Sequence, residues 1–383
     1  MEGKLPDGRN AVVRTDRQGR IRSVEHREGA GRDAAPVLVP GLVDLQVNGH
    51  GGHDVNADDL SVETVQALTT ALWAAGTTTY FPTVVTADHD KIVHALEVVA
   101  RAVRSDPLLA HSIAGVHVEG PYLSPADGAR GAHDARHLRD PDTAELVDWI
   151  AASDGLLRMV TLAPERPNAA AYIDAAVRSG VLVALGHCAA EPEQIHQAAA
   201  AGATLSTHLG NGIQPTLPRH PNQIWAQLAD DRLSAGFIGD GHHLSADTLT
   251  AMVRAKGLRR SFLVSDAAAL AGAPPGRYTT PVGGDVTVTA DGALVLTDSG
   301  LLAGSAASLA DCVRWTRTRT PFADDEVLAL ATTNPARVAG LGDRGTLTAG
   351  APADLVLLDD AFRVLHTVVA GTTVYRADER PAP

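Results

Sequence analysis

From about residue 41 onward, short apolar runs alternate along the chain with segments of helical periodicity. The run "VLVPGLVDLQVNG" precedes the helical pattern "SVETVQALTTALWAAG", and the alternation continues to "SFLVSDAAA". Most apolar runs are continuous rather than alternating, which is typical of parallel strands that are covered on both faces. The eight predicted strand segments are residues 37–49, 77–85, 113–119, 157–165, 181–189, 203–211, 233–241 and 261–269.

Eight β/α units over roughly 250 residues are the size of a TIM-like barrel. We therefore predict an α/β fold with a (β/α)8 barrel over residues 41–340, and a doubly wound sheet is the competing arrangement. The two chain ends hold short strand-like runs around turn-forming residues, and neither end has enough apolar surface to fold alone. We predict that residues 1–40 and 341–383 together form one small β-sandwich domain, and that residues 278–297 form a β-hairpin.

Composition and charge narrow the class of protein. The chain has 45% hydrophobic and 20% charged residues, as a soluble globular protein has, and its formal net charge of −13 argues against a nucleic-acid partner. Its only cysteines, Cys188 and Cys312, fit a reducing compartment. The first ten residues lack the apolar core of a signal peptide, and no apolar run approaches membrane-spanning length. We therefore expect a cytoplasmic protein without a membrane partner.

Four polar residues stand where predicted strands end. Glu119, His187, His208 and Asp266 each follow an apolar run in a different strand. In a barrel the C-terminal ends of the strands converge on one mouth, where barrel active sites lie. One carboxylate and two imidazoles are a ligand set suited to Zn²⁺ or a similar divalent ion, with one position open for water. Asp266 is then the candidate general base.

A single polar residue at a strand end is more often structural, but four such residues at separate strand ends favour a functional site.

Barrel hydrolases with two metals often carry a His-x-His pair after strand 1, and here Gln46 and Asn48 take those positions. An amide brings neither a charge nor an imidazole nitrogen to a divalent cation. We therefore predict one divalent metal ion per chain, with Zn²⁺ expected and Fe²⁺, Co²⁺ or Mn²⁺ left open.

Motifs in a fixed order extend over residues 40–358. They read "PGLVDLQVNGHGG", "GVHVEGPYL", "GHC", "THLGN", "DGHH", "LVSDAAALAG", "LLAGSA" and "TTNPARVAG" followed by "GTLTAGAPADLVLLD". With these motifs the chain resembles the N-acetylglucosamine-6-phosphate deacetylase family of the amidohydrolase superfamily. The resemblance implies a barrel with a β-sandwich, a single metal and a homodimer.

The resemblance also implies roles for individual residues. Glu119, His187 and His208 correspond to the metal ligands, Asp266 to the catalytic acid and base, and His133 to the histidine that polarises the amide carbonyl. Arg219 and His243 correspond to the phosphate-binding pair, which in this family can include a residue of the partner subunit. The remaining positions that correspond to substrate contacts are Ala132, Asn211, Gly212, Leu302, Ala303 and Gly304.

The expected reaction is metal-dependent hydrolysis of the N-acetyl group of an amino-sugar 6-phosphate, with N-acetylglucosamine-6-phosphate giving glucosamine-6-phosphate and acetate. Two motifs depart from the family, because "GHCAA" and "THLGNGI" stand where "GHSNA" and "THLYNAM" are usual. Gly210 removes an aromatic ring from the expected pocket rim, which would suit a different or larger sugar. The alternatives are hydrolysis of another N-acylated sugar or of a cyclic amide, deamination, and a catalytically inactive ligand-binding relative.

Overall fold

Eight parallel strands form a barrel, as predicted. The structure is a computed structural model that describes residues 1–27, 35–280 and 283–377. Each strand pairs with the next one along the chain. A parallel bridge between Val47 and Ala267 and a hydrogen bond from the Ser265 amide to Asp44 Oδ1 join the eighth strand to the first. The strands are Leu42–Val47, Thr77–Val85, Val116–Glu119, Leu157–Leu162, Leu182–Leu185, Leu205–Ser206, Ser234–Ile238 and Ser261–Val264.

Helices connect the strands and cover the outside of the barrel. Several of them begin at a side-chain cap, as when Ser61 accepts a hydrogen bond from the Thr64 amide and Asp88 accepts one from the Lys91 amide. None of the helices in the described ranges has the length and apolarity needed to cross a membrane. The α-helices are Val62–Ala74, His89–Ser105, Pro107–Ser112, Thr143–Ala152, Ala169–Arg178, Pro192–Ala200, Gln223–Ala229, Ala246–Lys256, Leu309–Arg319, Asp324–Leu330 and Thr333–Val338.

Strands from both chain ends form a separate sheet, which confirms the predicted terminal β-domain. Val13, Ile21, Leu38, Leu355 and Val368, which come from both ends, pack in one apolar cluster. In spatial order the strands are Thr372–Arg376, Val364–Val369, Leu355–Leu358, Val37–Pro40, Glu2–Lys4, Asn10–Thr15 and Ile21–Arg27. The exact boundaries, residues 1–40 and 341–383, stay a prediction, and residues 28–34 and 378–383 lie outside the described residues.

A small antiparallel sheet follows the eighth barrel strand, in the segment where a hairpin was predicted. Its strands are Gly276–Thr280, Gly284–Val288 and Leu294–Leu296, and residues 281 and 282 of that segment lie outside the described residues. Val286, Val288 and Leu294 form its apolar face, which packs against Ala268 and Ala303. The sheet therefore lies beside the mouth of the barrel, because Ala268 comes two residues after Asp266.

Candidate active site

The four strand-end residues reach the mouth of the barrel in two ways. Glu119 is the last residue of the third strand, whereas His187, His208 and Asp266 each lie two residues beyond the end of a strand. These three have positive φ angles of 48°, 27° and 48°. Non-glycine residues rarely adopt this left-handed region, and such strain costs of the order of 1–3 kcal/mol and concentrates at functional sites. The chain therefore turns sharply at each of these side chains.

Three imidazoles and one carboxylate converge there. Glu119, His133 and His187 each offer a possible metal-ligand atom, and these atoms all lie within 4.8 Å of one another. His208 Nε2 is 3.2 Å from Glu119 Oε1 and 3.1 Å from His187 Nε2. His187 Nε2 is 3.6 Å from the same carboxylate oxygen, whereas His133 Nε2 is 3.8 Å from Oε2. The four side chains are almost completely buried.

The protonation of these groups suits metal binding. His187 Nδ1 lies 2.9 Å from the carbonyl oxygen of Ala129, so this nitrogen donates and leaves the Nε2 lone pair free. Burial lowers the pKa of His187 to about 4 and also lowers the pKa values of His208 and His133, which favours neutral imidazoles. Burial raises the pKa of Glu119. A bound cation would favour the ionised carboxylate again.

The spacing of the donor atoms also fits a metal. Two ligands at about 2.0–2.1 Å from a tetrahedral zinc ion are roughly 3.3 Å apart. The Nε2 atom of His187 lies 3.1 Å from Nε2 of His208 and 3.3 Å from Nε2 of His133. Neutral imidazole lone pairs that face one another at such distances repel unless a proton or a cation lies between them. The cluster can therefore hold one divalent ion.

Asp266 lies beside this cluster and is held by two amides. Gln46 Nε2 donates to Glu119 Oε1 at 2.8 Å and to Asp266 Oδ1 at 3.1 Å, and Asn48 Nδ2 donates to Asp266 Oδ1 at 2.7 Å. Burial raises the pKa of Asp266, and the charge of Glu119 raises it further. Sequence reasoning treated Gln46 and Asn48 only as poor ligands. Their donation to both carboxylates was missed, because no local pattern shows which residue an amide will face.

One cavity of about 510 Å³ opens onto the cluster. Glu119, His187, His208 and Asp266 line it together with the predicted substrate contacts Ala132, His133, Asn211, Gly212, His243, Leu302, Ala303 and Gly304. Gly210 lines it as well, so the position that departs from the family lies at the cavity. Arg219 is exposed and is not among the lining residues. The structure thus brings together all predicted site residues except Arg219.

His243 enters the cavity wall with a partner that sequence reasoning missed. Its Nδ1 lies 2.7 Å from Asp240 Oδ2, and both side chains are buried. Burial alone would raise the pKa of Asp240, but the hydrogen bond and the charge of His243 outweigh it and hold that pKa below its usual range. The neighbouring His242 is not among the lining residues, and its ring lies near Gly292, in the turn between the last two strands of the small antiparallel sheet. The "DGHH" motif contains a sequence signal for the contact between Asp240 and His243, because residues three positions apart can meet in a turn.

An α/β barrel with this cluster of imidazoles and carboxylates at the C-terminal ends of its strands defines a metal-dependent hydrolase of the barrel class. Residues 37–374 match the model of the amidohydrolase family, and the chain belongs to that family. Its curated relatives and solved neighbours place it with the amino-sugar-6-phosphate deacetylases.

Two of these relatives differ in the sugar that their names give. N-acetylgalactosamine-6-phosphate deacetylase of Shewanella sp. (strain ANA-3) is 34% identical over 89% of this chain and 84% of its own length. N-acetylglucosamine-6-phosphate deacetylase of Bacillus subtilis (strain 168) is 31% identical over 98% of this chain and 93% of its own length. A mutant N-acetyl-D-glucosamine-6-phosphate deacetylase from Mycobacterium smegmatis, solved with N-acetyl-D-glucosamine-6-phosphate, has a TM-score of 0.85 at 32% identity and covers 95% of this chain and 94% of its own.

Proposed function

We propose that the protein hydrolyses the N-acetyl group of an amino-sugar 6-phosphate, with N-acetylglucosamine-6-phosphate as the expected substrate. The convergence of Glu119, His187, His208 and Asp266 in the lining of a single cavity carries this proposal. In the reaction the acetyl carbon gains the oxygen of a water molecule, the amide C–N bond breaks and the leaving nitrogen takes up a proton. The products are acetate and the amino-sugar 6-phosphate.

Glu119, His187 and His208 are the proposed ligands of one divalent ion, with Zn²⁺ expected. The donor distances support this set, because the Nε2 atoms of both histidines approach the same oxygen of Glu119 and approach each other. A divalent ion supplies Lewis-acid polarisation of a carbonyl oxygen and a lowered pKa of water. His133 Nε2 lies 3.8 Å from Glu119 Oε2 and 3.3 Å from His187 Nε2, and its proposed role is to contact the substrate beside the ion.

Asp266 is the proposed acid and base of the reaction. Its Oδ1 already accepts hydrogen bonds from Gln46 and Asn48, so Oδ2 is the oxygen left to take a proton from the attacking water and to return it to the leaving nitrogen. His133 is the proposed donor to the acetyl carbonyl oxygen, where negative charge develops in the transition state. Its neutral imidazole, which the lowered pKa favours, can donate one N–H to that oxygen.

The remaining cavity residues are proposed to bind the sugar phosphate. Ala132, Asn211, Gly212, Leu302, Ala303 and Gly304 line the cavity and are the proposed contacts of the sugar. His243 is the proposed contact of the phosphate within the same chain.

We further propose a homodimer in which Arg219 reaches the cavity of the partner subunit, because Arg219 is exposed and does not line the cavity of its own chain. Two buried free cysteines support the proposed cytoplasmic location.

Acetate release from four purified sugars tests the function. The panel contains the 6-phosphates of N-acetylglucosamine and N-acetylgalactosamine and their two unphosphorylated forms, each assayed with enzyme loaded with Zn²⁺, Fe²⁺, Co²⁺ or Mn²⁺. We expect acetate from a phosphorylated sugar at a kcat/KM well above that for its free form. A preference for the 6-phosphate of N-acetylgalactosamine would assign that sugar as the substrate, the one in the name of the Shewanella relative. No acetate from any of the four would overturn the proposal.

A further inference from the structure

Asp240 is a buried carboxylate with no part in the chemistry described above. It lies two residues beyond the seventh barrel strand, Ser234–Ile238, and its side chain is 3% exposed. Its Oδ1 accepts hydrogen bonds from the amides of His242 and His243 at 2.9 and 3.0 Å. Its Oδ2 lies 2.7 Å from His243 Nδ1 and accepts from Ser305 Oγ at 3.0 Å. Both oxygens face only donors, which is the environment of an ionised carboxylate.

The contact with Asp240 fixes the orientation of His243. Because a carboxylate only accepts, the proton on the His243 ring must stand on Nδ1. The Nε2 atom is then the nitrogen that the cavity-lining ring can offer to a ligand. In a doubly protonated ring Nε2 also carries a proton and can donate a charge-assisted hydrogen bond to an anion.

The contact with Ser305 fixes a second wall of the cavity. Ser305 directly follows the lining residues Leu302 to Gly304, and its side chain is buried. Its amide donates to the Asp266 carbonyl oxygen at 2.9 Å, and its own carbonyl oxygen accepts from the Ala268 amide at 2.9 Å. Asp240 therefore connects the loop that carries His243 with Ser305, which pairs with the residues that continue the eighth strand.

We propose that Asp240 is a positioning residue, which holds His243 Nδ1 and Ser305 Oγ so that His243 presents Nε2 to the phosphate of the substrate. This inference rests on the proposed function, since it concerns the phosphate end of the same cavity. It does not require any step at the metal cluster. Asp240 acts through His243 and touches neither the reacting amide nor the ion.

Asp240→Asn tests the proposal, because asparagine cannot accept from all four donors. If the oxygen of the asparagine accepts from the two backbone amides, its NH2 group faces two other donors, His243 Nδ1–H and Ser305 O–H. The His243 ring must then change its tautomer or rotate. We expect KM for the 6-phosphorylated sugar to rise roughly tenfold or more, as for the loss of one charge-assisted hydrogen bond, with a smaller change in kcat. The kcat/KM for the unphosphorylated sugar should stay within about twofold.

A double-mutant cycle with His243→Ala separates positioning from a general structural role. In the His243→Ala background, Asp240→Asn should have no further effect on the preference for the phosphorylated sugar. Asp354→Asn is the matched control, since it changes a buried aspartate of the terminal domain and should leave that preference unchanged. Additive losses in the cycle, or equal losses on both forms of the sugar, would overturn the proposal.

The hydrogen bond itself can be observed without turnover. Imidazole ¹⁵N NMR of the full-length protein, with His243 assigned from His243→Ala, should show a proton on Nδ1 that is lost or displaced in Asp240→Asn. A His243 ring without a proton on Nδ1 in the wild-type protein would overturn the inference. A wild-type protein that releases no acetate but shows the Nδ1 proton would refute the proposed function and leave the Asp240–His243 pairing established.

Discussion

At the scale of single residues, the site depends on groups that are held in place by amides. Asp266 Oδ1 accepts from Gln46 and Asn48, and Gln46 also donates to Glu119. The two buried carboxylates therefore have different environments. Glu119 faces the imidazoles, whereas Asp266 keeps Oδ2 free of these amide donors.

Asp266→Asn should keep the contacts of Asp266 but remove its ability to take a proton. The amide oxygen of asparagine can still accept from Gln46 and Asn48, so the local geometry should persist. Turnover should fall by roughly 10²–10⁴-fold, the usual share of acid–base catalysis. Steady-state acetate release and metal analysis of the same sample would measure this. Near wild-type turnover would remove Asp266 from the mechanism, and loss of the metal would show that it is a ligand.

The metal content should be about one divalent ion per chain. Gln46 and Asn48 direct amide N–H groups toward the carboxylates, and an N–H group repels a second cation where a histidine pair would bind one. Elemental analysis of purified protein, with chelation and readdition, would give the number of ions that restore activity. Two ions per chain that are both needed for activity would refute the single-metal prediction.

At the scale of elements, the helix Thr143–Ala152 supports the end of the third barrel strand. Trp149 is fully buried and stacks on Tyr122 with ring centroids 5.5 Å apart, and the Tyr122 hydroxyl donates to Glu145 Oε2 at 2.6 Å. Tyr122 comes three residues after Glu119. The helix therefore packs directly behind the segment that carries a proposed metal ligand.

Trp149→Ala should lower the free energy of unfolding by about 3–5 kcal/mol, the usual cost of deleting a large buried aromatic side chain. Urea unfolding followed by circular dichroism would measure it. Val147 is 64% exposed on the same helix, so Val147→Ala should change the free energy by no more than about 0.5 kcal/mol. Equal effects of the two substitutions would contradict the packing described for this helix.

At the scale of the whole molecule, a hydrogen-bonded contact of the buried Asp354 carboxylate joins the terminal domain to the barrel. Asp354 lies next to the strand Leu355–Leu358 of the terminal sheet, and its Oδ1 is 2.8 Å from Nε2 of His111, which belongs to a helix of the barrel. Arg344 Nη1 is 3.0 Å from its other oxygen. Burial acts to raise the pKa of Asp354, but the contacts with His111 and Arg344 outweigh it and lower that pKa.

Asp354→Asn should therefore destabilise the protein by about 3 kcal/mol at pH 7, since it leaves the Arg344 guanidinium and the His111 ring without their carboxylate partner. Because the pKa of Asp354 is lower in the folded state, its contribution is complete above the unfolded pKa of about 3.9 and is lost as the pH falls through the folded value. Urea unfolding at pH 7, 4 and 3 would measure the difference between the two proteins. That difference should shrink below pH 4, and a constant difference would refute the assignment.

Asp343→Asn is the matched control for this experiment. Asp343 lies near the same Arg344 but its side chain is 56% exposed, so its substitution should change the stability little at any of these pH values.

The proposed dimer gives the last prediction. Arg219→Ala should raise KM for the phosphorylated sugar by roughly 10–150-fold with little change in kcat, as for the loss of 1.5–3 kcal/mol from a charged hydrogen bond. If Arg219 acts in the partner's cavity, mixing Arg219→Ala with Asp266→Asn after subunit exchange should restore activity at low substrate concentration. Each mixed dimer then has one cavity with both residues intact. If verified mixed dimers recover no activity, Arg219 does not act across the interface.

The sequence by itself determined eight covered parallel strands and the four residues at their ends, and the number of β/α units favoured a barrel over a doubly wound sheet. Continuous apolar runs require strands that are covered on both faces, and parallel strands bring their C-terminal ends to one mouth. A polar residue at the end of such a run must therefore lie at that mouth, as Glu119, His187, His208 and Asp266 do. The motif resemblance added His133 and the cavity-lining positions, which periodicity could not find because they lie in loops.

Only the tertiary structure decided which polar groups meet. Gln46 and Asp266 are 220 residues apart, and Asp240 and Ser305 are 65 apart, so no local pattern relates them. Closing the barrel places the first strand beside the eighth and the seventh-strand loop beside Ser305. Hydrogen bonds act over only about 3 Å, and for that reason the partners of buried amides and carboxylates are fixed by the closed fold and not by their order along the chain.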